Sequence, residues 1–206
     1  MIAWSINAAK EANIFERIIV STDDEEIAKV AEVYGAEVPF IRPSSISDDY
    51  ATTGEVMAHA CEWAEAKKIH SDFVCCLYAT APFVKAKDLV LAHQLILSNK
   101  WQYVFSASEY SSSIFRSFKQ LSNGSVKMFY PEHFKTRSQD LPTAFFDAGM
   151  FYMAKKEAWL ADLRIFDTYS FALKIPSWRV QDIDTDSDWK RAEMIAPYIH
   201  KKQNKT

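Results

Sequence analysis

A chain of 206 residues, 49% apolar and 25% charged, is long enough for one sizeable core and has the balance of an ordinary globular protein. Its net charge of −3 supplies no basic field for nucleic acid or anionic lipid, and no apolar run approaches the roughly 18 residues of a membrane helix. The opening Met1-Ile2-Ala3-Trp4 lacks a basic leader and a small-residue cleavage site, so no secretory signal is expected. The three cysteines, Cys61, Cys75 and Cys76, fit neither a disulfide framework nor a zinc site. They suit buried thiols in a reducing cytoplasm.

Ile2, Ile6, Ala9 and Asn13 share one helical face at the start of the chain. Arg17 to Thr22 reads as a short buried strand. Ile27, Val30, Ala31 and Tyr34 then fall at i, i+3, i+4 and i+7, an amphipathic helix that Thr22, Asp23 or Asp24 can cap and Gly35 can end. Val38 to Ile41 is expected as a second strand, and Pro39 suits an edge. A polar loop over 42–54 leads to a helix with Met57, Ala60, Cys61 and Ala64 on one face. Phe73 to Ala79 is a continuous apolar run, the pattern of a strand covered on both sides. A helix over 88–98 and a strand over 103–107 complete a strand-helix-strand unit, which predicts a right-handed parallel crossover in a layered α/β sheet.

The segment 109–146 breaks this rhythm. It is polar and aromatic with a turn at Asn123-Gly124, and is expected to leave the sheet as a hairpin that makes a dimer contact. Strands are expected again over 150–153 and 171–175, and a last helix over 186–199. The tail 201–206 is expected to be solvated.

The sharpest chemical signal is Asp182-Ile183-Asp184-Thr185-Asp186-Ser187-Asp188. Residues i and i+2 of an extended chain point the same way, so Asp182 and Asp184 can converge on one hard cation. Mg²⁺ binds through one or two carboxylates plus phosphates and water. Asp186 and Asp188 have a structural reading: with Thr185 as N-cap, Asp188 closes a capping box and Asp186 faces the positive end of the helix dipole. The stretch also imitates a calcium loop, but Ser187 stands where that loop needs glycine and Lys190 where it needs a ligand. Only four glycines are present, and neither a P-loop nor a GxGxxG turn can be written from them. The five histidines do not cluster.

A set of segments in order carries a family resemblance: Ser21-Thr22-Asp23-Asp24-Glu25-Glu26-Ile27-Ala28, Gly35-Ala36-Glu37-Val38-Pro39-Phe40, Arg42-Pro43, Leu77-Tyr78-Ala79-Thr80-Ala81-Pro82, Arg137-Ser138-Gln139-Asp140-Leu141 and Asp182-Ile183-Asp184-Thr185. Together they resemble the cytidylyltransferases that activate sialic and related nine-carbon acids, over nearly the whole chain. The resemblance implies a three-layer, Rossmann-like nucleotidyltransferase fold with a mixed, mostly parallel sheet, the 109–146 excursion serving a homodimer. It implies CTP and a nonulosonic acid as substrates and Mg²⁺ as cofactor. Arg42, Ala51 and Thr53 would lie along the cytidine pocket; Tyr78, Arg137, Gln139, Asp147 and Ala148 would line the sugar site; Asp182 and Asp184 would be the catalytic metal ligands. Where sialate enzymes resemble Leu-Gln-Pro-Thr-Ser-Pro and Asn-Gly, this chain has Leu77-Tyr78-Ala79-Thr80-Ala81-Pro82 and Asp147-Ala148-Gly149. Both departures resemble the pseudaminic acid branch.

Family members open with a strand and a phosphate-holding loop ahead of a helix like Met1 to Ile6. The resemblance places that strand between the Arg17–Thr22 and Phe73–Ala79 segments, and leads us to expect about 20–30 in-frame codons upstream of Met1. Two other readings stay open at this stage: an inactive fragment without the phosphate loop, and a related enzyme acting on N-acetylneuraminate, legionaminate or an eight-carbon acid.

Overall fold

The computed structural model describes residues 1–200. Four strands form the main sheet: β1 (Phe73–Leu77), β2 (Tyr103–Glu109), β5 (Phe145–Lys155) and β6 (Ser170–Lys174), in the order β1-β5-β2-β6. β5 runs antiparallel to both β1 and β2, and β2 is parallel to β6. Three of the four strands therefore share one direction. The expected crossover exists, with α4 (Ala86–Leu97) joining β1 to β2, but the two strands do not pair; β5 lies between them. Separate excursion strands β3 (Phe118–Gln120) and β4 (Val126–Met128) make the hairpin turned by Asn123-Gly124, with Gly124 at φ +84°.

Alternation along the strands sorts side chains onto two faces. Val104, Phe151 and Met153 join the larger core with Leu89, Ala92 and Ile96 of α4, Ala8 and Ala12 of α1 (Ile2–Ala12), and Ala192 and Ile199 of α6 (Asp186–His200). Tyr103, Phe105, Tyr152 and Ala154 face the other way, onto Met57 and Cys61 of α3 (Thr53–Ala66) and Trp159 of α5 (Lys156–Leu160). The result is helix, sheet, helix. Thr52 and Glu55 form a capping box at the start of α3, and Thr185 and Asp188 exchange the same pair of bonds before α6. Asp24 is the residue that caps α2 (Glu25–Val33), accepting from the Glu26 and Ile27 N–H groups.

One expectation needs correction here. Arg17–Thr22 and Val38–Ile41 are not developed strands. Arg17–Thr22 meets the chain over 37–41 at only two isolated parallel bridges, Ile19 to Glu37 and Thr22 to Ile41, so neither expected segment has the ladder that defines a strand. The apolar face of α2 is also largely uncovered: Ala31 is buried, but Ile27 and Val30 are 45% and 44% exposed. Its partners are the small cluster of Ile6, Ala36, Ile18, Val20 and Val38, which reaches only one side of the stripe.

The segment leading to α6 is tied down by a buried ion pair. Arg179 and Asp88 are both nearly inaccessible. The Arg179 guanidinium donates to both carboxylate oxygens of Asp88 and to the Phe83 carbonyl, and Asp88 in turn accepts from the Lys85 N–H at the start of α4. This fork matches the carboxylate in a way that a lysine ammonium cannot. Removing one partner strands a charge in the core. Arg179→Ala is expected to cost about 3–5 kcal/mol, read as a fall in the urea midpoint with an unchanged slope. A loss under about 1 kcal/mol would show that the pair is not buried as described.

Candidate active site

The site is built where β5 bends. Its register against β2 slips between Phe105, opposite Tyr152, and Ala107, opposite Asp147. Ser106 fills the gap: its hydroxyl accepts from the Met150 and Phe151 N–H groups at 3.1 and 3.2 Å and is wholly buried. Gly149 supplies the turn with φ +59°, a conformation that side chains with a Cβ rarely adopt. A β-bulge of this kind re-aims the side chains around it. Here it brings Asp147 and Tyr152, five residues apart, into contact. The Asp147 carboxylate accepts from the Tyr152 hydroxyl through one oxygen and from the Gly149 N–H through the other, at 3.0 Å.

The Asp182 carboxylate lies against Gly149, 3.5 Å from where a Cβ on that glycine would stand. Ile183 packs on the main core while Asp182 and Asp184 are exposed on either side of it, the alternation that their spacing anticipates. Partial burial pushes the Asp182 carboxyl above its ordinary range, and the negative charges of Asp184 and Asp147 push it further. Crowded, repelling, exposed carboxylate oxygens are the donor chemistry that a hard divalent cation relieves. Among the described residues no cluster of three or more His, Cys, Asp or Glu side chains closes a metal cage. Two carboxylates suffice for Mg²⁺ when phosphate and water complete the shell.

Beside this cluster opens a cleft of about 510 Å³, lined by α1, the Arg17–Thr22 segment, residues 51–53 and β1 with Tyr78. Arg42, Ala51, Thr53 and Tyr78 all line it. Arg42 is held by Ser47 at 3.2 Å and by Asp23 at 3.4 Å. Thr53 and Tyr78 share a hydrogen bond of 2.7 Å. Backbone groups line the cleft as well. Val20 donates to Glu37 and Ile18 accepts from it, so alternation turns the N–H and C=O of Ile19 and Ser21 the opposite way, to the side facing the cleft. The buried Ser21 hydroxyl has no hydrogen-bond partner.

Of the ten sequence-predicted residues, the structure gathers eight. Arg42, Ala51, Thr53 and Tyr78 stand at the cleft, Asp147, buried Ala148 and Asp182 at the bulge, and Asp184 two residues on, near enough to act on the Asp182 carboxyl. Arg137 and Gln139 stand apart, exposed in a short helical turn over 138–140 and its lead-in. Arg137 is engaged by Asp140 at 2.8 Å. Ser106, Gly149 and Tyr152 are the members that sequence reasoning missed. Gly149 was legible as the last residue of the Asp147-Ala148-Gly149 segment, though no role was assigned to it; the other two had no signal.

Known proteins resemble this chain over nearly its whole length. The family model for cytidylyltransferases matches residues 1–176. A pseudaminic acid cytidylyltransferase of Campylobacter jejuni subsp. jejuni serotype O:23/36 (strain 81-176) is 40% identical over 97% of this chain and 86% of its own length. The N-acylneuraminate cytidylyltransferase of Escherichia coli O18:K1:H7 is 26% identical over all of this chain and 47% of its own length. Among solved structures, a CMP:2-keto-3-deoxy-manno-octonic acid synthetase complexed with CTP superposes with a TM-score of 0.66 at 11% identity, covering 95% of this chain and 87% of that one. That likeness shows the nucleotidyltransferase fold. On the family match and the 40% identity, this chain belongs to the cytidylyltransferase family.

Proposed function

We propose that this enzyme transfers CMP from CTP to a nonulosonic acid, pseudaminic acid above its relatives, releasing pyrophosphate. The observation that carries the reading is the 40% identity to a pseudaminic acid cytidylyltransferase across 97% of the chain. Tyr78 and Asp147-Ala148 stand where the sialate branch resembles amide side chains, and a site built for one polar pattern discriminates against another. In the reaction the anomeric hydroxyl oxygen bonds to the α-phosphorus of CTP. The bond from that phosphorus to the bridging oxygen of the β-phosphate breaks, pyrophosphate leaves with the electron pair, and the hydroxyl proton is released.

Phosphoryl transfer of this kind depends on positioning and charge neutralisation. Arg42, Ala51 and Thr53 would hold the cytidine along the cleft. Tyr78, Asp147 and Ala148 would place the sugar at the bulge. Arg137 and Gln139 would join them only if their loop moves inward, with Arg137 exchanging Asp140 for the sugar's carboxylate. Asp182 and Asp184 would hold Mg²⁺, which when bound would offset charge on the phosphates. The excursion supports a homodimer, because Phe118 and Val126 on its hairpin are each 61% exposed and Phe134, just beyond the hairpin, is 67% exposed.

Three outcomes test the reading. Asp182→Ala or Asp184→Ala is expected to abolish Mg²⁺-dependent pyrophosphate release with the fold intact. Thr185→Ala, which removes a cap next door, should cost about 0.5–2 kcal/mol of stability and keep turnover. Near-normal activity in Asp182→Ala would overturn the metal assignment.

Asp182 also gives a signed pH prediction. Its raised carboxyl means that the folded state disfavours the charge, so stability drops as pH rises from the ordinary carboxylate value of about 4 and the deficit persists above that window. Asp182→Asn in chelator should therefore raise Tm at pH 7, with the gain fading as pH falls toward about 4. A lower Tm at pH 7 would contradict the repulsion.

For the substrate, kcat/KM with CTP in excess should be higher for pseudaminic acid than for N-acetylneuraminate. The reverse order would remove the branch assignment and leave the family standing.

A further inference from the structure

The residue that holds Asp147 belongs to none of the motifs above. Tyr152 is 3% exposed, in the middle of β5. Its ring packs on Tyr78 with centroids 5.5 Å apart and stacks on Phe105 at 6.4 Å, so it has little freedom to swing. Its hydroxyl points to the Asp147 carboxylate. Asp147 has no cation partner among the described residues. Its two oxygens receive only the Tyr152 hydroxyl and the Gly149 N–H. An ionised carboxylate has room for about four donors. Two remain to be filled, and the carboxylate is only partly buried, so a ligand hydroxyl or amide can fill them. The Gly149 bond alone would leave the side chain hinged on its own backbone turn.

We propose that Tyr152 is a positioning residue for the acceptor sugar: its hydroxyl fixes the rotamer of Asp147, so that the free lone pairs of that carboxylate present a fixed acceptor pair to polar groups of the sugar. The proposal rests on the reading of Asp147 as part of the sugar site. Burial and the neighbouring carboxylate both raise the Tyr152 phenol far above its ordinary value, which keeps it a donor across the whole working range. The ring of Tyr152 also backs Tyr78, whose hydroxyl is bonded to Thr53 at 2.7 Å, so an unbroken run of contacts leads from the cytidine end of the cleft to the acceptor end.

Tyr152→Phe tests this, because it keeps the ring and removes only the donor. With CTP saturating and pseudaminic acid varied, KM for the sugar should rise about tenfold, the scale of a lost hydrogen bond to a charged group. KM for CTP should change less than twofold, and Tm should stay above the assay temperature. A positioning role through Asp147 also predicts non-additivity: Tyr152→Phe combined with Asp147→Asn should be no worse toward the sugar than Asp147→Asn alone. A merely structural tyrosine would instead lower Tm and raise both KM values together, which overturns the proposal. Wild-type sugar KM in Tyr152→Phe, beside a large defect in Asp147→Asn, overturns it and leaves the functional reading intact. Wild-type sugar KM in Asp147→Asn itself removes the reading of the sugar site and the proposal with it.

Discussion

The fork of Arg179 on Asp88 is the constraint on which the site depends. Neither charge can face water, and each is satisfied only by the other together with backbone groups of the Phe83–Lys85 turn. The pair joins two parts of the chain 91 residues apart. One end sits in the first turn of α4; the other immediately precedes the segment that carries Asp182 and Asp184. With Arg179 fixed, Val180 and Ile183 reach the main core, and the two aspartates between Ile183 and the solvent have no choice of side. A pair of this kind is weak evidence for stability, since apolar replacements often do as well. Its geometric consequence is the stronger one: it sets where two like charges are brought together.

The bulge in β5 is the second half of the same construction. β5 is the strand that both β1 and β2 pair with, so a local irregularity in it is held from two sides. Ser106 supplies the hydrogen bonds that the slipped ladder lacks, and Gly149 supplies the backbone angle. The absence of a side chain on Gly149 also leaves room for Asp182. Acidic groups from the bulge and from the Arg179 segment thus converge although each is unfavourable to the others. Such a concentration of repulsion costs folding free energy, and it suits the cation and polyphosphate that the proposed function would bring there.

What could be read from the sequence follows from the range of the interactions involved. Local signals carried well. The Asp182-Ile183-Asp184 spacing, the Thr185 and Asp188 capping box, Gly35 after α2 and Asn123-Gly124 in the hairpin all act over a few residues, and all are present in the structure. Motif resemblance carried the cleft residues Arg42, Ala51 and Thr53. Non-local facts were not legible. No pattern in Phe145–Lys155 announces that it enters antiparallel between two parallel strands. Tyr152 reads as one more core aromatic until the bulge puts it beside Asp147. Ser106 looks like a polar interruption of a strand, though it completes one. The α2 stripe was read correctly as amphipathic, yet periodicity does not say how much of a face finds a partner.

On the proposed function, the Arg179 fork holds Asp182 and Asp184 ready for a divalent cation. Arg179→Lys keeps the charge and gives up the bidentate geometry. The most direct measurement is the affinity for Mn²⁺, titrated by electron paramagnetic resonance, in the wild type and in Arg179→Lys at a temperature where both are folded by circular dichroism. Affinity is expected to be at least about tenfold weaker in the variant, the scale of 1.4 kcal/mol, with Asp182→Asn abolishing the same binding. Equal affinity in wild type and Arg179→Lys would contradict it.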